Sequence, residues 1–282
     1  MKTEDLKNLK EMRKKMFLTA YSGGSAHLAS AFSAAEIFYA LYQKKILRID
    51  PKEPQNDERD RLILSKGHAS LALYVSLAMA GFLPEEELYT FIQPGTRLSG
   101  EPCPNGIPGI EAATGSLGHG LSMGVGMAIA AKLDQKEFRT YVILGDGECQ
   151  EGTIWEAVMA AHRYQLGNLT AILDCNRIQK MGFIEETMRI SSWRSKWESF
   201  GWQVDEITDG HDLDEVCEVL QRANDSNVPR LVIANTVKGK GVSIMENNPN
   251  WHFKMPNRRE LKVFMKELEI SEKELEKCRE HI

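Results

Sequence analysis

Asp146 stands between Gly145 and Gly147, and Asn176 follows it thirty residues later. An apolar run leads into each of them, Tyr141-Val-Ile-Leu144 into the first and Leu169-Thr-Ala-Ile-Leu173 into the second. A carboxylate and an amide oxygen converging beside glycine-exposed backbone are hard oxygen ligands. They suit a Mg²⁺ ion that keeps some of its waters and completes its octahedron with phosphate oxygens. A solitary Gly-Asp-Gly is better explained as a tight turn after a strand, so the weight rests on the pair.

The elements that would carry such a pair can be read from the apolar pattern. Both runs read as buried strands, and the amphipathic stretch Thr153 to Tyr164 between them reads as a helix, which makes a βαβ unit. Leu62 to Leu64, Trp202 to Ile207 and Leu231 to Thr236 repeat the strand signal, with a helical stretch at Leu213 to Ala223. The fold class expected is therefore α/β, a mainly parallel sheet with helices on both faces and ligands bound at the carboxyl ends of the strands. Helical spacing also runs through Leu6, Leu9, Met12, Met16 and Phe17, and again from Ser33 to Leu47, with a small, polar stretch between. Charged closing helices are expected between Glu260 and Ile282, and Trp155, Tyr164 and the Met127 region are expected in the core. Glycine and proline dominate from Pro94 to Gly120, and an irregular segment of that length inside a folded unit usually has a function.

Composition narrows the class of function. The 282 residues carry 35 Lys+Arg against 40 Asp+Glu, a net charge of −5 with both signs interspersed, so no basic face for nucleic acid or anionic membrane is implied. The weakly polar run Leu117 to Ala131 is too short and too broken by glycine to span a bilayer. The charged start, Met1 to Lys15, lacks the apolar stretch of a signal peptide, so a cytoplasmic location is expected. Five scattered cysteines form no CxxC pattern and read as plain, buried thiols.

With an Asn closing the second strand, GDGECQEG and ILDCNRIQ together resemble the thiamine diphosphate signature, and the likeness to the transketolase family extends over nearly the whole chain. YSGGSAHLASAFSAAEI resembles the segment around the family's first active-site histidine, placing His27 there, and SKGHASLALY places His68 on the second. LSGEPCPNGIPGIEAATGSLGHGL is similar to the loop whose Gly115, Ser116 and Leu117 would meet the aminopyrimidine ring and diphosphate. TVKGKGVSIMENNPNWH places His252 on a further histidine. The resemblance implies that Asp146, Asn176 and the main-chain oxygen of Ile178 hold Mg²⁺, or Ca²⁺ or Mn²⁺ in its place. Gly145, Gly147 and Glu148 would then border the cofactor, His68 and His252 would contact its diphosphate, and His27 would face the substrate. It leaves two readings of Glu151, a carboxylate favoured at a helix N-terminus or a member of a carboxylate network across the interface with a second chain.

Two departures from the family bear on substrate. Where transketolases have a histidine in LSGHP, this chain has Glu101 in LSGEP, a group that can accept a donor-sugar hydroxyl but cannot donate to one. The alternative is that Glu101 turns to solvent and water fills its place. Ala26-His-Leu28-Ala and Phe253 make the neighbouring walls larger and more apolar. The resemblance covers one diphosphate-binding domain, residues 1–282. It implies that the pyrimidine-binding and C-terminal domains lie on a partner chain, with two copies of each subunit. The activity expected is transfer of a two-carbon ketol unit from a ketose to an aldehyde, with sugar substrates and no nucleic acid or membrane partner. Alternatives are a split transketolase for an unusual donor such as a branched ketose phosphate or a sulfosugar, a decarboxylating relative, and a non-catalytic regulatory paralogue.

Overall fold

The computed structural model describes residues 2–222, 224 and 226–279. Five strands form one parallel sheet: β1 (Arg61–Leu64), β2 (Thr140–Gly145) and β3 (Leu169–Cys175), then, after a two-stranded antiparallel hairpin of β4 (Ile178–Gln179) and β5 (Gly182–Phe183), β6 (Gln203–Ile207) and β7 (Arg230–Asn235). The order across the sheet is β1-β2-β3-β7-β6. The chain steps one way from β1 to β3 and steps back from β6 to β7, so the order reverses between β3 and β7.

That reversal places helices on both faces. Right-handed crossovers that travel in opposite directions cover opposite faces. Helix Gly152–Arg163, between β2 and β3, packs with Ile63, Val142, Leu144 and Leu173. Helix Leu213–Gln221, between β6 and β7, packs on the other side with Ile143, Ile172 and Val232. Successive side chains along β2 alternate between the two cores because a strand has a period of two, and both sides are apolar because both are covered. The α/β expectation, with a mainly parallel sheet, is met.

Several local expectations need correction. The run from Leu117 reads as irregular chain up to Gly120, yet His119–Leu133 is a helix. Its glycines lower its intrinsic preference but permit close packing, since a Cβ at Gly120 would stand 2.5 Å from Ser65. The small, polar stretch Tyr21 to Phe32, read without an element of its own, is helical except at residues 24–27: the first helix runs Thr3–Gly23 and a second Leu28–Ser33. Helix Ala35–Tyr42 stops five residues short of Leu47, which is buried without being helical. Tyr164 is 53% exposed rather than core, because it follows the last turn of helix Gly152–Arg163. Trp155 is half-buried, packed against Trp197 and Phe200, and Met127 is half-buried as well. Cys149, Cys175 and Cys278 are buried, whereas Cys103 and Cys217 are only half-buried. Ala223, expected to end a helix, and the final three residues of the closing segment lie outside the described residues; helices Arg258–Glu267 and Glu272–Arg279 close the rest. Among the described residues no helix is long and apolar enough to cross a membrane.

Candidate cofactor and metal site

The carboxyl ends of β2, β3 and β7 meet at the point where strand order reverses, the usual position of a ligand crevice in an open α/β sheet. Asp146 follows β2 and Asn176 follows β3. The Arg177 and Gly147 amides donate to the Asp146 carboxylate, and the Ile178 amide donates to Asn176 Oδ1 at 3.1 Å. The residues expected from the sequence to supply oxygen ligands therefore lie on two strand-end turns, after β2 and after β3, that the Arg177 amide ties together. Asp146 is buried, and burial pushes its carboxyl up to about 6; the negative charge of Asp174 adds to this, and the two amide donors oppose it. A Cβ at Gly147 would lie 2.9 Å from Gln179, so only glycine allows the backbone to be this close at that position.

Beneath these turns lies an ion pair that the sequence reading did not single out. Lys66 and Asp174 are both buried, and Lys66 Nζ donates to Asp174 Oδ2 and, at 3.2 Å, to the Ser30 carbonyl. Ser33 Oγ at 2.6 Å and Thr236 Oγ1 also donate to Asp174, and Asn176 Nδ2 reaches it at 3.4 Å. Burial alone would raise the Asp174 carboxyl, but Lys66 and these donors outweigh it and hold it below the usual carboxylate range. Every Asp174 partner comes from a different segment, so this one carboxylate fixes the ends of β1, β3 and β7 together.

Glu148, expected beside the cofactor, has a positioning role in this structure. It accepts from Ser65 Oγ, from the Gly118 amide at 2.8 Å and from the Gly145 amide at 3.0 Å. It ties the start of helix His119–Leu133 to the end of β2. Burial shifts its carboxyl upward, with Ser65 and the two amides pulling against it. Gly115 has φ +140°, a conformation that L side chains rarely adopt, and a Cβ there would meet Glu101 at 3.2 Å. It sits against Gly67, the residue before His68, with Ser116 exposed and Leu117 half-buried beside it. Glu151 is the exposed N-cap of helix Gly152–Arg163, at the helix N-terminus as expected, and makes no side-chain capping bond there.

The three histidines converge. Ring centroids lie 5.4 Å apart for His27 and His68, 5.2 Å for His27 and His252, and 5.8 Å for His68 and His252. Burial, then the nearby lysine charges, lowers all three: His27 to about 4, His252 to about 3, and His68 well below its ordinary value. All three are neutral imidazoles at pH 7, so each offers one N–H donor and one nitrogen acceptor.

Lys238 joins the two halves of the site. Its buried Nζ lies 2.8 Å from the Ile178 carbonyl and 3.0 Å from His252 Nδ1. Burial and then the Lys66 charge bring its amine down to about 8. Lys238 lies inside the TVKGKG segment, and Lys66 inside SKGH; in sequence both look like solvated charges beside a motif, and only burial marks them out. Ser30 was also missed, and its Oγ is buried without a hydrogen-bond partner. On the open side, Glu101 and Phe253 border a cavity of about 250 Å³ with His27, Ala26 and Ile92. Phe253 is 59% exposed and its ring lies 4.6 Å from that of His27.

Hard oxygens at one end, buried lysines and N–H-bearing imidazoles in the middle and an orphaned hydroxyl form a set suited to a metal-bound diphosphate. The class defined by this fold and site is a thiamine diphosphate-binding α/β protein. Residues 10–276 match the family model described as the transketolase thiamine diphosphate binding domain. The chain is 42% identical over 266 residues to one of the named subunits of the apulose-4-phosphate transketolase of Phocaeicola vulgatus, covering 94% of each. It is 42% identical over 224 residues to the 6-deoxy-6-sulfo-D-fructose transketolase subunit SqwG of Clostridium sp., covering 79% of this chain and 81% of that one. Among solved structures it is similar to the transketolase of Campylobacter jejuni, with TM-score 0.85 and 29% identity, over 100% of this chain and 46% of that one. The transketolase of Pichia stipitis complexed with sedoheptulose 7-phosphate gives TM-score 0.86 and 28% identity over 97% and 43%. The chain belongs to the transketolase family and carries its thiamine diphosphate-binding domain. It spans less than half the length of these solved transketolases and nearly the full length of the Phocaeicola vulgatus relative.

Proposed function

We propose that this chain is one subunit of a divided transketolase that moves a two-carbon ketol unit from a ketose donor to an aldose or aldehyde acceptor. The observation that carries this reading is Lys238, which links the oxygen turns of Asp146, Asn176 and Ile178 to the three-histidine cluster in one buried constellation. Asp146, Asn176 and the Ile178 carbonyl would hold Mg²⁺, while Lys238, His68 and Ser30 would bind the diphosphate oxygens. Bound thiamine diphosphate would supply the electron sink for breaking and remaking the carbon–carbon bond. His27 faces the cavity as a neutral imidazole, able to donate to or accept from a substrate hydroxyl. Phe253 and Ile92 shield the reacting end of the donor from water. The partner, bearing the pyrimidine-binding and C-terminal domains and present in two copies with two of this chain, would supply the carboxylate that activates the cofactor. The relatives named as single subunits of a transketolase support the division.

The test is activity on mixing. The chain alone is expected to give no ketol transfer and to gain it with the second subunit; robust turnover by the purified chain would sink the reading.

The donor pocket supports a second, finer reading, a donor other than the ordinary ketose phosphates. Its basis is Glu101 beside His27 and Phe253, together with the two relatives whose names specify apulose 4-phosphate and sulfofructose. A carboxylate accepting a donor hydroxyl contributes about 1.5–3 kcal/mol. Its loss should therefore lower kcat/KM roughly ten- to a hundredfold. Glu101→Gln keeps an acceptor and should retain part of the activity, whereas Glu101→His should favour ordinary ketose phosphates. The assay is a donor panel of ordinary ketose phosphates, apulose 4-phosphate and 6-deoxy-6-sulfofructose, run with saturating cofactor. Two variants indistinguishable from the parent on every donor would place Glu101 in solvent.

A further inference from the structure

His211 lies outside every motif considered so far, on the loop between β6 and helix Leu213–Gln221. That loop docks on the end of β7, with the Gly210 amide donating to the Asn235 carbonyl at 2.7 Å. The His211 ring is thereby held between two partners of opposite kind. The Val237 amide donates to Nε2 at 2.8 Å, and Nδ1 lies 2.9 Å from Glu36 Oε2. A nitrogen that accepts an amide proton carries none of its own, so the proton sits on Nδ1 and points at Glu36.

Glu36 is itself anchored. Arg13 Nη2 lies 2.7 Å from both its oxygens. Burial pushes the Glu36 carboxyl up, but Arg13 and His211 more than offset this and hold it below the ordinary carboxylate range. Arg13 also packs against Gly241, where φ is +97° and a Cβ would come within 2.8 Å of Arg13 Cδ. The chain of contacts Arg13–Glu36–His211 thus ends on the backbone of Val237, next to the lysine that joins the two halves of the site.

We infer that His211 is a positioning residue for cofactor binding: through the Val237 amide it sets the backbone from which Lys238 reaches the diphosphate subsite. Thr236 Oγ1 on Asp174 and the Gly239 amide on the Ala29 carbonyl, 3.0 Å apart, brace the segment on either side. Without an acceptor at Nε2 the half-buried Val237 amide loses its partner, and the segment gains by turning that amide elsewhere, which carries Lys238 away from Ile178 and His252. The inference rests on the cofactor reading for its consequence, and on the hydrogen bonds alone for its structural part.

Two substitutions separate the two ring nitrogens. Gln places an oxygen near the Nε2 position and can still accept from Val237; Asn places its amide near Nδ1 and can still donate to Glu36 but leaves Val237 unpaired. Hydrogen exchange on the full chain without cofactor reads the structural part, with amides of β2 reporting global unfolding. Calorimetric titration of the chain plus its partner with thiamine diphosphate and Mg²⁺ reads the consequence. H211N is expected to speed exchange across residues 237–241 and to weaken cofactor affinity, each by about tenfold, the size of one hydrogen bond, with β2 exchange unchanged. H211Q is expected to stay near the parent in both. Equal behaviour of the two variants, or faster exchange in H211N with unaltered affinity, overturns the inference. A parent assembly that binds no cofactor sinks the cofactor reading instead, with the role of His211 in cofactor binding falling along with it.

Discussion

Asp146→Ala and Asn176→Ala are each expected to abolish ketol transfer by the assembled enzyme through loss of cofactor. Outer-shell changes at metal sites already cost about ten- to a hundredfold in affinity, so removing a ligand should cost at least about a hundredfold. The fold should survive. Alanine at 146 relieves a carboxylate whose charge is disfavoured by burial, and leaves the Arg177 and Gly147 amides to find other acceptors, a cost of about 1–3 kcal/mol per group at most. Asp146→Asn retains an acceptor for one of those amides and provides a second variant with less disturbance. Calorimetric titration of the complex with thiamine diphosphate and Mg²⁺ is the measurement, paired with thermal unfolding in the absence of both. Unchanged cofactor affinity in both alanine variants would refute the ligand assignment; a collapsed melting temperature would make the residues structural.

Lys66→Met is expected to destabilise the chain by about 3–5 kcal/mol, because it leaves the buried Asp174 carboxylate without its cation. Methionine fills most of the space, so the loss comes from electrostatics rather than from a cavity. The companion change Asp174→Asn removes the stranded charge while keeping an acceptor for one of the Ser33 and Thr236 hydroxyls, the other being free to turn and accept from the new amide, and the double variant should recover more than half of the loss. Urea unfolding of the parent, the single and the double variant completes the comparison. A Lys66→Met chain as stable as the parent would mean that Ser33, Thr236 and Asn176 suffice to hold Asp174 charged, and that the lysine is kept for cofactor binding alone.

The five strands of the parallel sheet were legible in the sequence because a strand's signal is local, whereas the two-residue strands β4 and β5 were too short to give one. A short apolar run rich in Val, Ile and Leu, ended by Gly-Asp-Gly or Asp-Cys-Asn, carries its identity in neighbouring residues. The helix His119–Leu133 was not legible for a related reason: its glycines look like loop punctuation until Ser65 and Val142 are seen pressed against them. Tyr164 was placed in the core by its chemical character, but its exposure depends on where the helix happens to end.

The site divides in the same way. Asp146 and Asn176 could be picked out because each ends an apolar run, and His27, His68 and His252 because the segments around them resemble those of the transketolase family. The sequence by itself therefore determined the α/β class, the family and the two strand ends that meet at the site. Tertiary structure alone decided that Lys66 and Lys238 are buried cations rather than solvated ones, that three imidazoles are crowded into one neutral cluster, and that His211 braces the segment bearing Lys238. The reason is physical: the ionisation and reach of a side chain depend on distance and burial. Lys66 and Asp174 stand 108 positions apart in the chain, Glu36 and His211 175, and no local pattern carries the distance between such residues.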